Sequence, residues 1–429
     1  MDEFDRLAAM ARPRPRSLPL APLAPKARRL PLAEPRADDR RYRPVYVVWE
    51  LTLKCDLACR HCGSRAGRAR PEELSTAECL DLVDQLAELG ALEVTLIGGE
   101  AYLRDDWVEI ARAIGARGMK CTMTTGGRGV TPQIARAAAA AGIRRVGVSV
   151  DGLEATHDRL RGVTGSFRAA LGALRHLKQA GISISANTQL NRLSLPELPE
   201  LLEVLIAHGI RAWQVQLTVP MGRAADEPDV LFQPHELLEL FPLLARLKKH
   251  CDAAKVLFWP ANNVGYFGPY EREFRGLTRT GHMSSCSAGR ASLGIEADGT
   301  IKGCPSLPTH AYSGGSVRHE RLRSIWERTA ALRFMRDRTV EDLWGYCRSC
   351  YYSKTCLAGC TWTSHVILGR AGNNPYCHHR ALEMSRVGKR ERLVPVESAP
   401  GAPFDHGTFR VVVEDDPRLP SAAMPTQVG

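Results

Sequence analysis

Long apolar runs are what this chain most plainly lacks. No stretch of its 429 residues is apolar over the roughly 20 positions a membrane helix needs. No cleavable signal segment heads it, so the expected setting is the cytoplasm. Cysteine is sparse, at 13 residues, which excludes the disulfide scaffold of a small secreted domain. Aromatic residues reach only 6%. The net charge of +11 sits partly in residues 1–44, where eleven Lys/Arg stand against six Asp/Glu. Those arginines have only Phe4 and Tyr42 as aromatic neighbours and no recognised binding fold around them, so nucleic acid is not an expected partner.

What cysteine there is falls into groups. Cys55, Cys59 and Cys62 read C-x3-C-x2-C, just past an apolar, β-branched strand-like run, and have no close fourth partner. Cys347, Cys350, Cys356 and Cys360 read C-x2-C-x5-C-x3-C, with Cys377 beyond them and Cys286 and Cys304 before. Soft thiolates in such groups select zinc, copper(I) or iron–sulfur clusters. A structural zinc site wants its fourth ligand nearby, and His61, adjacent to Cys62, is badly placed to supply it. A cluster held by three cysteines leaves one iron open to a ligand that is not protein. Cys79, Cys121 and Cys251 fall within helix- or strand-like segments and read as small buried hydrophobes.

Between the groups the chain alternates. Apolar strands near 45–53, 93–97, 118–124, 145–150, 182–188 and 212–219 are separated by helical patterns near 75–89, 106–117, 132–141, 166–180 and 196–208. This alternation predicts an α/β fold, a parallel sheet with helices outside, whose chemistry lies at the C-terminal strand ends. Polar candidates stand at those ends: Gly98-Gly99-Glu100, Thr124, Ser149, Asp151 and Asn187. Two glycines admit a close backbone approach, and Glu100 offers a carboxylate to an ammonium. Asp151-Gly152 is equally an ordinary turn pair, and Asn187 could serve a cap or turn. Ala297-Asp298-Gly299 predicts a hairpin that delivers Cys304.

The triad, the Gly-Gly-Glu and the strand-end residues together resemble the radical S-adenosylmethionine (SAM) superfamily. Thr125 departs from the Thr-Asn-Gly common there. The 286–377 block resembles the SPASM domain that follows many such enzymes. The resemblance implies a partial (β/α)6 TIM-like barrel and then a small iron–sulfur SPASM domain. It implies a [4Fe–4S] cluster on Cys55, Cys59 and Cys62 whose open iron binds SAM, with Gly98, Gly99, Glu100, Thr124, Ser149, Asp151 and Asn187 as SAM contacts. It also implies two auxiliary [4Fe–4S] clusters, three in all. Cys347, Cys350, Cys356 and Cys377 would hold the outer one, and Cys286, Cys304 and Cys360 the inner. No cysteine lies between Cys286 and Cys304, so the inner cluster is expected to lack a fourth thiolate. The expected organisation is a disordered Pro/Arg-rich tail (1–44), the barrel core (45–235), a bridging helical region (236–285), the SPASM domain (286–380) and a mostly disordered C-terminal tail (381–429).

The function implied is reductive cleavage of SAM and hydrogen abstraction by the 5′-deoxyadenosyl radical. The substrate class is a ribosomally made precursor peptide, receiving a crosslink, an epimerisation or another oxidative change. Expected partners are that peptide, a separate leader-binding protein unless the barrel mouth captures the peptide directly, since the tail is too short and Pro-rich for a winged helix, and a flavodoxin or ferredoxin as electron donor. Pro305 after Cys304 counts against formylglycine formation, where the family has an Asp. Two alternatives stay open. One is a radical SAM dehydrogenase or epimerase of a small molecule such as a sugar or antibiotic intermediate. The other is a non-enzymatic, zinc-stabilised binding protein.

Overall fold

The computed structural model describes residues 32–265, 267–276 and 286–418. Seven parallel strands run in sequence order: β1 (Tyr46–Glu50), β2 (Glu93–Ile97), β3 (Lys120–Thr125), β4 (Arg145–Ser149), β5 (Ser183–Leu190), β6 (Ala212–Leu217) and β7 (Leu257–Pro260). The connecting helices are α1 (Thr76–Leu89), α2 (Trp107–Ala116), α3 (Pro132–Ala140), α4 (Glu154–Arg161), α5 (Ser166–Gln179), α6 (Leu198–Ala207) and α7 (Leu237–Ala253). Local chemistry sets their ends. Ser75 and Glu78 form a reciprocal capping box at the start of α1, and Gly90 closes it in the left-handed conformation. Thr131 caps α3 ahead of Pro132.

Burial explains the strand patterns. In β1 every residue after Tyr46 is buried, as in parallel sheets covered on both faces. In β5 and β6 buried residues alternate with half-buried ones. Ala186, Thr188, Leu190, Trp213, Val215 and Leu217 pack outward toward the helices, and Asn187, Gln189, Gln214 and Gln216 share the opposite, inner face.

The sheet does not stop at the barrel. β8 (Ser292–Ile295) pairs in parallel with β1, Tyr46 opposite Ser292, and β9 (Ile301–Lys302) returns antiparallel through the expected turn, with Gly299 at φ 85°. The resulting nine-stranded sheet runs from β7 to β9 without pairing its two ends, so the barrel is open on one side. Buried charges seal the β1–β8 junction. Arg70 reaches Glu50 (3.3 Å) and Glu296 (2.9 Å), and the fully buried Lys302 ammonium sits 2.7 Å from Glu296 and 3.7 Å from the centre of the Phe404 ring.

Three expectations differ from what is observed. The region 236–285 is not only helical, since Leu257–Pro260 adds a seventh strand beside β6. Its short, aromatic sequence hides the strand signal that a longer β-branched run would give. The segment after 381 is not mostly disordered: β10 (Lys389–Glu397) and β11 (Thr408–Asp415) form an antiparallel hairpin. Its many charges pair across strands, as Arg390 does with Glu414 (2.7 Å), which lets a polar sequence hold a regular ladder. Near the N-terminus, residues 37–41 form a 3-10 turn whose Asp39 is buried between Arg333 (2.9 Å) and Arg336 (2.8 Å). Residues 1–31 and 419–429 of the two expected tails lie outside the described residues.

Candidate active site

The loop carrying Cys55, Cys59 and Cys62 follows β1 and is pinned from three directions. Its base is closed by Cys55 N–H to Gly67 O (3.1 Å) and Gly67 N–H to Leu53 O (2.8 Å). The C-terminus of α4 lies against its middle, with Ala58 N–H donating to Arg161 O (3.1 Å) and Arg60 N–H to Leu160 O (2.8 Å). Arg223, just after β6, donates to the carbonyls of Cys59 (3.2 Å), Ala66 (2.6 Å) and, through its backbone, Cys62 (3.0 Å). Donors also face the sulfurs: Leu57 N–H to Cys55 Sγ and Ala66 N–H to Cys62 Sγ, each 3.4 Å, and Arg161 Nη1 to Cys59 Sγ (3.6 Å). Burial pushes the Cys55 thiol up to about 12 and the Cys59 thiol up to about 11, so anionic sulfur is stable there only beside a compensating cation.

Gly98 and Gly99 run alongside this loop. A Cβ on Gly98 would lie 2.3 Å from Thr52 O, and one on Gly99 would lie 2.2 Å from Lys54 O and 2.7 Å from Cys55 Cβ. No side chain fits at either position. Glu100 is buried, accepting from Gly126 N–H (2.6 Å) and the Thr125 hydroxyl (2.5 Å), so the residue that departs from the family pattern is wired to the acid. Burial pushes Glu100 up to about 7, against the pull of those two donors. Asp56 converges on the same place. One of its carboxylate oxygens takes the Tyr102 hydroxyl (3.2 Å), and the other is buried with no partner among the described residues. One donor atom each from Cys55, Asp56 and Glu100 falls within 4.8 Å of the others.

Further along the sheet, Thr124 stands opposite Gly147, Ser149 opposite Asn187 and Asn187 opposite Gln214, half-buried on the inner face. Asp151 differs from its expected place. It is wholly buried, its carboxylate ion-paired with Arg161 (2.7 Å) and His61 (3.0 Å) and accepting from Gln189 N–H (2.9 Å). Through these contacts it positions the cysteine loop by way of Arg161 and His61.

Asp56 and Arg223 are the residues sequence reading missed. Asp56 adjoins the first cysteine and could have been suspected. Arg223 carries no local signal, because its partners are backbone carbonyls more than 150 positions away.

The later cysteines divide into two groups. Cys347, Cys350, Cys356 and Cys377 line one pocket with Tyr346, Tyr352 and His379. Cys286 and Cys304 lie close enough to Cys360 to raise its thiol further after burial has done so. The chain passes from the first group to the second through Leu357, Ala358 and Gly359, all with φ between 48° and 63°. Two successive non-glycine residues in the left-handed region cost about 1–2 kcal/mol each, a strain that something at this turn must offset.

A sequence model of the radical SAM superfamily matches residues 49–211, and one of an iron–sulfur cluster-binding domain, SPASM, matches 286–351. The AdoMet-dependent heme synthase of Methanosarcina barkeri is 31% identical over 79% of this chain and 97% of its own length. The chain belongs to the radical SAM superfamily. Another relative within this superfamily is the mycofactocin maturase MftC of Mycobacterium tuberculosis, 28% identical over 87% of this chain and 91% of that protein. Two solved structures share the fold: Streptococcus suis SuiB bound to S-adenosylmethionine (TM-score 0.59, 18% identity, 78% of this chain and 76% of that one) and anSMEcpe with bound AdoMet (TM-score 0.63, 13% identity, 79% and 95%). This radical SAM/SPASM enzyme therefore binds SAM and a [4Fe–4S] cluster, with further iron–sulfur in its SPASM domain. No helix among the described residues is long and apolar enough to cross a membrane.

Proposed function

We propose that this enzyme is a peptide maturase whose SAM cluster is held by Cys55, Cys59 and Cys62. The residues suit that group: three clustered thiols, no fourth, and sulfur-directed N–H donors on a loop fixed from outside. When bound, the cluster supplies the electron that cleaves SAM to methionine and a 5′-deoxyadenosyl radical. Glu100 and the unpartnered oxygen of Asp56 receive the SAM ammonium beside Cys55, a charge-assisted pairing that a buried carboxylate oxygen favours. Gly98 and Gly99 let the cysteine loop pack directly against this strand end, and Thr124, Ser149 and Asn187 line the ribose and carboxylate side. Asp151 acts on the loop rather than on SAM. Cys347, Cys350, Cys356 and Cys377 hold one auxiliary cluster, and Cys286, Cys304 and Cys360 a second with an open position.

The observation that carries the peptide reading is the inner wall of β5 and β6. Asn187, Gln189, Gln214 and Gln216 share that face, and their side-chain amides have no internal partner among the described residues. Neutral amides offer paired donors and acceptors, which match a peptide backbone. Support also comes from MftC, named as a maturase, and from SuiB, solved with its precursor peptide SuiA. The neighbouring reading, oxidation of a small molecule, is favoured by the heme synthase relatives, which match this chain over nearly their whole length.

Anaerobically purified enzyme, given SAM and a reductant, separates the two readings. A precursor peptide from a neighbouring short reading frame that loses hydrogen or gains a crosslink by mass spectrometry supports the maturase, and turnover of an iron porphyrin alone overturns it. About twelve irons per chain, falling to about eight in Cys55→Ala/Cys59→Ala/Cys62→Ala with SAM cleavage abolished, is the expected metal content. Iron unchanged by the triple substitution would refute the ligand assignment.

A further inference from the structure

Three histidines that the mechanism does not use converge from separate parts of the chain. His310 follows the β8–β9 hairpin, His365 lies on the helix Thr361–Leu368 just after Cys360, and His406 lies on the loop between β10 and β11. One ring nitrogen of each falls within 4.8 Å of the others. His365 is buried, His406 half-buried and His310 exposed.

Two of the rings are already oriented by their far nitrogens. His406 Nδ1 lies 2.6 Å from the Gly407 carbonyl, so it carries the proton and Nε2 holds the lone pair. That Nε2 is buried and has no hydrogen-bond partner among the described residues. His365 Nδ1 is 3.0 Å from the Tyr312 hydroxyl, which leaves its Nε2 as the free nitrogen. A ring fixed by a carbonyl or hydroxyl at one nitrogen, with the other left for coordination, is the usual arrangement of metal-bound imidazole. Hydrogen bonding among the three rings does not explain the cluster, since none is formed between them, and a buried lone pair without a donor costs stability.

We propose that His310, His365 and His406 form a site for one divalent transition-metal ion, zinc or iron(II) in class, with an open coordination position. Imidazole donors suit such ions, and three protein ligands without a fourth mark a site that admits an exogenous one. The ion ties three segments at the mouth of the barrel. The His406 loop is held on the cysteine loop by Phe404 N–H to Gly63 O (3.1 Å) and bridges to Met221, whose sulfur meets Trp362 Nε1 (2.9 Å). The open position thus lies beside the triad loop on one side and the segment after Cys360 on the other.

The test uses the full chain with its iron–sulfur clusters loaded anaerobically and any affinity tag removed, so that empty thiol sites do not capture metal. The protein is equilibrated with zinc chloride, passed over a weak chelating resin and assayed for zinc by mass spectrometry, with zinc-edge X-ray absorption to identify the donors. One equivalent of zinc in an all-nitrogen protein environment is expected. His310→Gln alters only an exposed ring, and His310→Gln/His406→Gln removes two ligands. These should weaken retention by about 10-fold and by more than that, with cluster absorbance unchanged. Zinc at background in the wild type, sulfur in its first shell, or equal retention in the double variant would overturn the site.

Discussion

At the scale of single residues, the buried acids Glu100 and Asp151 owe their placement to neighbours that motif matching does not weigh. Glu100 is legible as the end of Gly-Gly-Glu, yet its orientation depends on the Thr125 hydroxyl and the Gly126 amide. Thr125→Val keeps the shape and removes the donor, so SAM affinity should fall by about 10-fold, the value of a hydrogen bond to a charged group. Calorimetric titration of SAM into the oxidised, cluster-loaded enzyme, which does not cleave it, checks this, and unchanged affinity would detach Thr125 from the site. Asp151 teaches the opposite lesson. Its sequence context suggests a ligand contact, but its carboxylate lies against Arg161 and His61, and only the fold brings Arg161 there. Asp151→Asn should therefore lower the occupancy of the first cluster, seen as lost iron, more than it lowers SAM affinity per cluster.

At the scale of elements, six strands and five helices follow from the alternation of short apolar runs with amphipathic stretches, and the structure keeps them within a few positions. Besides β7 and the β10–β11 hairpin, a helix and a strand pairing escaped. α4 is short and carries few apolar residues, so its periodicity is faint, although it grips the cysteine loop. The pairing of β8 with β1 cannot be read from local pattern at all, because it joins residues about 245 positions apart and is sealed by charges. That seal makes two predictions. Lys302→Met leaves Glu296 buried without its ammonium and should cost about 3–5 kcal/mol, read as a lowered unfolding midpoint, with partial recovery when Glu296→Gln is added. Glu50 is pushed up to about 8 by burial, against the pull of Arg70. Below its unfolded value of about 4.5 both states are protonated. Between there and about 8 the unfolded chain gives up its proton while the fold keeps it, so stability falls as pH rises through this window. Glu50→Gln should flatten that slope in melting temperatures measured from pH 5.5 to 8.

At the scale of the whole molecule, the chain's first described segment is fastened to the distant helix Ala330–Asp337. Asp39 stands between Arg333 and Arg336, and although burial opposes its charge, hydrogen bonds from Arg36 and Arg336 hold it down to about 2. Asp39→Ala should destabilise the protein by about 3–5 kcal/mol, because two buried guanidiniums lose their anion. A change under about 1 kcal/mol in chemical unfolding would show that solvent already compensates them.

The β1–β8 pairing also sets a clock. β8 leaves the ribosome roughly 245 residues after β1, an interval of about 12–50 s at ordinary rates of synthesis. Throughout it the nascent chain presents a bare apolar strand edge next to three reactive thiols, all needed before the protein can work. Chaperone capture and metal delivery must therefore compete for the same stretch of unfinished polypeptide, and slow codons between β7 and β8 would lengthen the exposure.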